Sequence, residues 1–452
     1  MKIIMRFFVA ALFLLFTHQQ SRAQSTPAQA FANVTIHHSD GTVESGATIV
    51  WRNGVVEAAG RNVTIPFDAR VRDGGDSLHV YPGFIDGYGT WGSVDTPRNQ
   101  PRPDRPGDPG YERAGIQADR KTASNFKDDR SEFTDIQKQG FTIAALGVKG
   151  FFMPGQVDIY HLMGTNTPGH LMADRIAQKV QFVSSPGAYP NTLMAMMTSL
   201  RQLFHNASAL QDHQRLYAEA PDRYPPAPRD AVLEALYPVR DQQIPLFFAA
   251  DNKEDIQRVL RLKQEIGFNL VLVSAKEAYT MAEELKRNNV PVLVSIDLPE
   301  KPSHMKKEAG QKEKEDAGSA QQSTAEDTLS AEEQHFRERQ EAAYFDQVNN
   351  AKRLMDAGVT IGFTSSGMKA SDFGKQVQTL LENGYDEAGL IRMMTLNTAV
   401  ILGIDRNTGS LQQGKLADFS VRTAPLSDKN SKVLFGISAG HFTEFTQESR
   451  RR

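Results

Sequence analysis

What most constrains the fold of this chain is a series of short, almost continuously apolar runs that alternate with helix-period stretches through its middle. Residues 141–148, 244–249, 270–273, 290–296 and 359–363 are rich in Val, Ile, Leu and Phe, the composition of strands covered on both faces. Helical stretches at 253–266, 277–288 and 373–383 follow several of them. Repeated strand-helix units of this kind predict an α/β fold, a (β/α)8 barrel of the TIM type with its active site at the carboxyl ends of the strands. A doubly wound sheet is the alternative, but no glycine-rich phosphate loop opens a helix.

The two ends of the chain read differently. Residues 31–59 form short β-branched runs broken at Asp40-Gly41, at 44–46 and at Asn53-Gly54, which predicts a small antiparallel unit with a hairpin turn at Asn53-Gly54. Residues 414–421 and 433–445 are again strand-like. We therefore expect 24–80 and 414–452 to meet in one composite β-sandwich-like domain beside a barrel spanning 81–413. Two insertions interrupt that barrel. Residues 95–130, dense in Pro, Gly, Arg and Asp, form either an ordered cover over the pocket or a surface excursion. Residues 300–330, rich in Lys, Glu, Gln, Ser and Ala, read as a solvated segment with no function implied.

Lys2 and Arg6, the apolar run 7–16 and Ser21-Arg22-Ala23 read as a secretory signal peptide over 1–23, too short to span a bilayer. The expectation is export, to a periplasm or the exterior, with no membrane span in the mature chain. The chain has no cysteine, which excludes disulfides, thiolate metal sites and cysteine nucleophiles. With 51 basic and 54 acidic residues the net charge is −3, so no general field favours a phosphate backbone and nucleic acid is not an expected partner.

Residues 80–91 read VYPGFIDGYGTW. Pro82, Gly83, Phe84, Ile85 and Asp86 resemble the first barrel strand of the amidohydrolase superfamily, Pro-Gly-Phe/Leu-Ile-Asp-x-His-x-His, whose two histidines hold a divalent metal. Tyr88 and Thr90 stand at the histidine positions. Further on, Thr395, Asn397 and Ala399, then Leu402-Gly403, Gly409-Ser410-Leu411 and Gly414-Lys415-Leu416-Ala417-Asp418 resemble the closing signature of the imidazolonepropionase-like branch. The same residues have a physical reading: a helix packs on the barrel, Gly409 permits a tight turn, and Gly414-Lys415 leads back into the small sheet domain. Residues 255–291 resemble the section around the fifth and sixth barrel strands, each of which ends in a histidine in metal-bearing relatives; here the positions hold Ala249 and Ser274. Residues 357–366 resemble the last strand, with Ser366 in place of the aspartate that ligates metal and handles the proton of the attacking water.

The five ligand positions implied by the resemblance therefore read Tyr88, Thr90, Ala249, Ser274 and Ser366. Zinc in a catalytic site takes about three nitrogen, sulfur or carboxylate donors plus water, and neutral hydroxyls compete poorly with water. No cofactor is expected; zinc or another divalent metal enters only if the site is relocated. His37, His38, His79, His161, His170, His205, His213, His304, His335 and His441 form no His-x-His or His-x-x-x-His pair. His161 and His170, flanking a Gly/Thr/Pro loop after Asp158, are the best of this set. Lys149, near the end of the 141–148 strand, stands either for the carboxylated lysine of binuclear relatives or for a solvated or substrate-facing cation. In the family Asp86 supports the histidines, which implies a structural role here with catalysis as the alternative. Ser365-Ser366-Gly367 is not a nucleophile elbow and reads as a turn after a strand.

The resemblance implies descent from enzymes that use a metal-bound hydroxide to hydrolyse cyclic amide, peptide or related C–N bonds. With the ligands replaced, the chain reads as a pseudoenzyme, a hydroxyl-lined barrel binding a small polar ligand or a partner. Two alternatives stay open. One is an active hydrolase with a shifted or metal-independent site drawn from Asp86, Tyr88, Lys149, His161 and Ser366. The other is a non-catalytic subunit of a paralogous active amidohydrolase, in which the methionine-rich run 193–197 supplies a contact surface or, alternatively, helical core packing. Homo-oligomerisation also stays open.

Overall fold

The computed structural model describes residues 26–97, 99–127, 131–164, 170–306 and 330–445. The expected signal segment and positions 307–329 of the second insertion lie outside them. At the amino end, β1 (Gln29–His37), β2 (Val43–Arg52), β3 (Val55–Gly60), β4 (Arg70–Asp73) and β5 (His79–Pro82) precede the barrel strands. These are β6 (Phe84–Gly89), β7 (Phe141–Gly147), β8 (Gly155–His161), β9 (Leu171–Gln181), β10 (Leu246–Ala249), β11 (Leu270–Ser274), β12 (Val292–Ser295) and β13 (Ile361–Thr364). At the carboxyl end come β14 (Phe419–Arg422), β15 (Val433–Ser438) and β16 (His441–Glu444).

The two ends do share one sheet. Its order is β16-β15-β14-β5-β1-β2-β3, with β4 beside β1, so the carboxyl-terminal hairpin joins the amino-terminal strands through the β14–β5 pair. Asn53 and Gly54 take φ of 51° and 79° at the β2–β3 turn, the left-handed pair that a two-residue hairpin of matching twist requires. Phe31, Trp51, Val421, Phe419 and Ile437 form the buried core of this sheet. No helix of the described residues is long and apolar enough to cross a membrane.

The second sheet runs β13-β12-β11-β10-β9-β8-β7-β6 and is a nearly closed barrel. Ladders between β9 and β13, and between β6 and β7, are parallel, as the apolar runs and intervening helices predict. β8 departs from the pattern, lying antiparallel to both neighbours. Its connections, 148–154 and 162–170, are shorter than the dozen or so residues that a parallel crossover needs. The hairpins leave the outer face of β8 without a helix of its own, and the first insertion covers it beside the helix Ser131–Gln137 that packs on β7. Ile116 bridges Met153, Thr122 Oγ1 sits 3.2 Å from both Leu146 O and Gln156 O, and the Phe126 ring meets Tyr160 edge-on at 5.5 Å. Arg113 ties the same insertion to the connection after β9, donating to Ser185 Oγ at 2.8 Å and Pro186 O at 2.6 Å. The described residues of the insertion thus cover the outer wall.

The helices show the expected local signals. Lys253–Ile266 begins at Asn252, whose side chain accepts from Asp255 N, and ends at Gly267 in the left-handed region. In the methionine-rich run, Met196 is buried while Met194 is 79% exposed, so the run serves mainly as one turn of an amphipathic helix, Leu193–Glu219.

Between β6 and β13 no ladder forms, and side chains close the gap. Thr364 Oγ1 donates to Tyr88 O, Ser365 N donates to Asp86 Oδ1 at 2.9 Å, and Phe363 N donates to Thr398 Oγ1 at 2.9 Å. Gly87 lets the strands approach this closely: a Cβ there would stand 2.5 Å from Leu293 Cδ2 and 2.6 Å from Phe363 O. Because one obstacle is backbone, Gly87→Ala is expected to destabilise the protein by about 2 kcal/mol or more, read as a lower urea midpoint. Gly414→Ala, in open space at φ 87°, should cost roughly 1 kcal/mol through backbone conformation alone.

Candidate functional site

The barrel mouth is built from the ends of β6 and β13. Asp86 is fully buried and anchors both strands. Besides Ser365 N it accepts from Ser365 Oγ, from Trp91 Nε1 at 2.8 Å and from Tyr88 N at 3.3 Å. Burial pushes its carboxyl above the usual range, and the hydrogen bonds from Ser365, Trp91 and Tyr88 oppose that shift. Ser365, one residue before the position singled out by the family motif, is the serine that engages Asp86. After it the chain turns, with Met368 N on Ser365 O at 2.9 Å and Gly367 at φ 86°. Ser366 O accepts from Ser295 Oγ at 2.7 Å, which ties the turn to β12.

A cleft of about 680 Å³ opens above this anchor. Tyr88, Thr90, Trp91, Lys149, Ser366 and Met368 line its inner part, and Glu132, Asp135, Lys138 and Lys369 its rim. Four positions named from the sequence, Tyr88, Thr90, Lys149 and Ser366, therefore share one cavity with Asp86 directly beneath. Lys149 Nζ is held by Asp95 at 2.8 Å, a carboxylate it shares with Lys127 at 3.1 Å. It is a paired cation on the cleft wall.

Ala249 and Ser274 end β10 and β11 as the motif placed them, but neither lines this cleft. Ser274 is buried and takes φ 74°. His161 lies elsewhere. Because β8 runs antiparallel, its last residue pairs with Ile143 at the start of β7, at the end of the barrel that meets the terminal sheet. There His161 Nδ1 stands 3.3 Å from Ser438 Oγ and 3.7 Å from Asp418 Oδ1. Asp418 also accepts from Ala439 N at 2.7 Å and Thr408 Oγ1 at 2.8 Å. Burial disfavours the charged form of both, lowering the imidazole and raising the carboxyl. His170 and His441 stand nearby, their ring centroids 6.2 Å apart. Among the described residues no group of three or more His, Asp or Glu side chains is disposed to hold a metal ion.

Besides the charged rim of the cleft, sequence reasoning missed Lys179. Ala177 and Lys179 share a face of β9 by the two-residue period, and that face looks into the lumen with Ile85, Val157, Phe247 and Val271. Lys179 is 1% exposed, its Nζ has no hydrogen-bond partner among the described residues, and it stands 4.4 Å over the Tyr88 ring. Burial lowers its amine to about 7, with Asp251 acting in the opposite direction. The signal available in the sequence was a lysine at an inward position of an otherwise unassigned strand.

Residues 270–442 match the family model described as Amidohydrolase family. No curated protein matches the chain. Among solved structures, an amidohydrolase from Thermotoga maritima MSB8 is 20% identical, with 93% of this chain and 100% of that one covered and a TM-score of 0.71. A putative prolidase from Bifidobacterium longum is 16% identical over 93% and 95% of the two chains at a TM-score of 0.50, and ochratoxinase from A. niger is 12% identical over 93% and 96% at 0.50. At these identities the likeness is one of fold.

A lone amine in an apolar lumen is a stability cost whose pH dependence has a definite sign. The amine titrates near 7 when folded and at 10.5 when unfolded, so the penalty is fully present below pH 7 and fades as pH rises toward 10.5. Lys179→Met is expected to stabilise the protein at pH 6.5 by an amount on the order of 4 kcal/mol. The gain should shrink at pH 9.5, measured by urea unfolding of both proteins at the two pH values.

Proposed function

We propose that the chain is a member of the amidohydrolase superfamily, a reading supported by the family-model match over residues 270–442 and by the likeness of fold, and that it is an exported barrel that has lost metal-dependent hydrolysis of C–N bonds and binds a small polar ligand in the mouth cleft. One observation carries this reading: the cleft and the strand ends around it offer Tyr88, Thr90, Ala249, Ser274 and Ser366 where divalent-metal chemistry needs imidazoles and a carboxylate. The nearby carboxylate, Asp86, is fully buried and committed to Ser365, Trp91 and Tyr88. This donor set does not fit a catalytic metal.

Ligand binding is supported by the cleft itself. Its volume of about 680 Å³ lies within the range of small-molecule sites. Trp91 offers a flat apolar surface, Thr90 and Ser366 offer hydroxyls, and Lys138, Lys149, Glu132 and Asp135 place both signs of charge around it. Such a wall suits a polar molecule carrying hydrogen-bonding groups better than a uniformly anionic one.

The metal-independent hydrolase is the weaker reading. It needs a base beside an accessible nucleophile; Asp86 does accept from Ser365 Oγ, but both are buried and the carboxylate is shared with Trp91 and Tyr88, His161 sits at the opposite end of the barrel, on Ser438 and Asp418, and Lys149 is paired with Asp95. For the paralogue-subunit reading, Leu193 and Met194 are exposed at the start of their helix, but two residues do not make a contiguous patch.

Elemental analysis tests the reading directly. Protein produced with zinc, manganese and iron available and passed through gel filtration is expected to carry far less than one metal ion per chain; near-stoichiometric metal would sink the proposal. Export has its own check. The mature protein recovered from a secreting host should begin at Gln24, and Edman sequencing that finds Met1 instead removes the export reading.

A further inference from the structure

We propose that the cavity between the helix Phe373–Glu382 and the carboxyl-terminal hairpin is a second binding site, for a small organic anion whose carboxylate or phosphate group pairs with Arg422. The site shares no lining residue with the mouth cleft, so it neither needs the cleft-binding reading nor falls with it.

Its charged floor is the end of β14. Arg422 closes that strand and is 5% exposed. The guanidinium has five N–H donors in a planar fork. Nε donates to Ser431 Oγ at 2.9 Å and Nη1 to Gln139 O at 3.1 Å, both neutral acceptors, and among the described residues no carboxylate makes an ion pair with it. Glu387 acts on it only from a distance, its own oxygens being taken by Tyr81 Oη at 2.9 Å and Ser427 N at 3.3 Å. Burial lowers the guanidinium to about 10, with Tyr81 and Glu387 opposing, so at neutral pH the group is still a cation. A buried cation is ordinarily matched by an anion. Here the protein supplies none in contact and leaves N–H donors unused.

The cavity gives such an anion room. Its volume is about 480 Å³ and Arg422 lines it, within the range of small-molecule sites. Phe373, Val377 and Leu426, all buried, make an apolar wall, which a bare inorganic ion would leave uncovered and a ring or short chain would cover. The entrance is solvated, since Gly374, Lys375, Asp428 and Lys429 are exposed. Lys429 is neutralised by Glu382 at 2.9 Å, and Asp428 accepts from Asn430 N at 2.8 Å within its own turn. Arg422, Lys375 and Lys429 outnumber Glu382 and Asp428 along the lining, so the site favours a ligand of negative charge. Carboxylate and phosphate both match a guanidinium fork.

Titration calorimetry of the full-length protein at low ionic strength tests this, with benzoate and phenyl phosphate as probes and benzamide as the uncharged counterpart. At least one of the anions is expected to bind at a single site per chain, and the tighter of the two identifies the group recognised. Arg422→Lys keeps the charge but loses the fork and should weaken binding about tenfold or more. Lys375→Glu, at an exposed position that leaves the fold intact, should weaken it several-fold. The proposal is overturned if the wild type binds neither anion, if it binds benzamide as tightly, or if affinity is unchanged in either variant. Should Arg422→Lys fail to fold by circular dichroism, Lys375→Glu decides alone.

Discussion

The barrel depends on the clasp between its first and last strands. Backbone ladders link every other neighbouring pair, but between β6 and β13 the work falls to Asp86, Thr364 and Thr398. A buried carboxyl is costly alone; here donors from Ser365, Trp91 and Tyr88 meet it, so its desolvation is offset while two strands are fixed in register. Gly87 is the steric half of the same arrangement, since any side chain there would meet Phe363 O and Leu293. The Asp of the first-strand motif, and Gly87 at the variable position after it, are thereby explained by closure of the barrel.

The same logic extends to the closing motif. Thr398 satisfies the Phe363 amide at the seam, and Thr395 Oγ1 reaches Ser39 Oγ at 3.2 Å, which in turn donates to Gly409 O at 2.7 Å. Asp418 holds Thr408 and Ala439, and Ser438 donates to Thr142 O at 2.9 Å. These bonds fasten the terminal sheet to the underside of the barrel. The positions that match the family motifs are thus largely those with a packing or bonding task, whereas Tyr88, Thr90 and Ser366, which depart from them, face the mouth cleft.

Much of this was legible in the residues. The parallel strands β7 and β10 through β13 and the helix at Lys253–Ile266 follow from apolar runs, capping and a left-handed glycine. The meeting of the chain ends followed from strand patterns at both termini. β8 and β9 were not legible, because Gln156, Asp158, Arg175, Gln178 and Lys179 interrupt their apolar character. Asp158 accepts from Arg175 N at 2.8 Å, and Gln178 donates to Gly155 O at 2.9 Å. Those partners exist only once the hairpin forms, so polarity that argues against a buried strand in one dimension is satisfied in three. Of the cleft, the resemblance to family strand motifs singled out Tyr88, Thr90 and Ser366, and Lys149 stood out by its place near the end of the 141–148 strand. Trp91, Glu132 and Asp135 come from loop and helix positions that no spacing connects.

By itself the sequence determined the barrel class, the shared terminal sheet and which residue types stand at the strand ends Tyr88, Thr90, Ala249, Ser274 and Ser366, because periodicity, turn chemistry and side-chain identity are local properties. Only the tertiary structure decided that β8 reverses direction and carries His161 away from the mouth, that Ser365 rather than Ser366 bonds to Asp86, and that Lys179 is sealed in the lumen. Each of those depends on which distant segments close around a residue, and burial is a property of that closure.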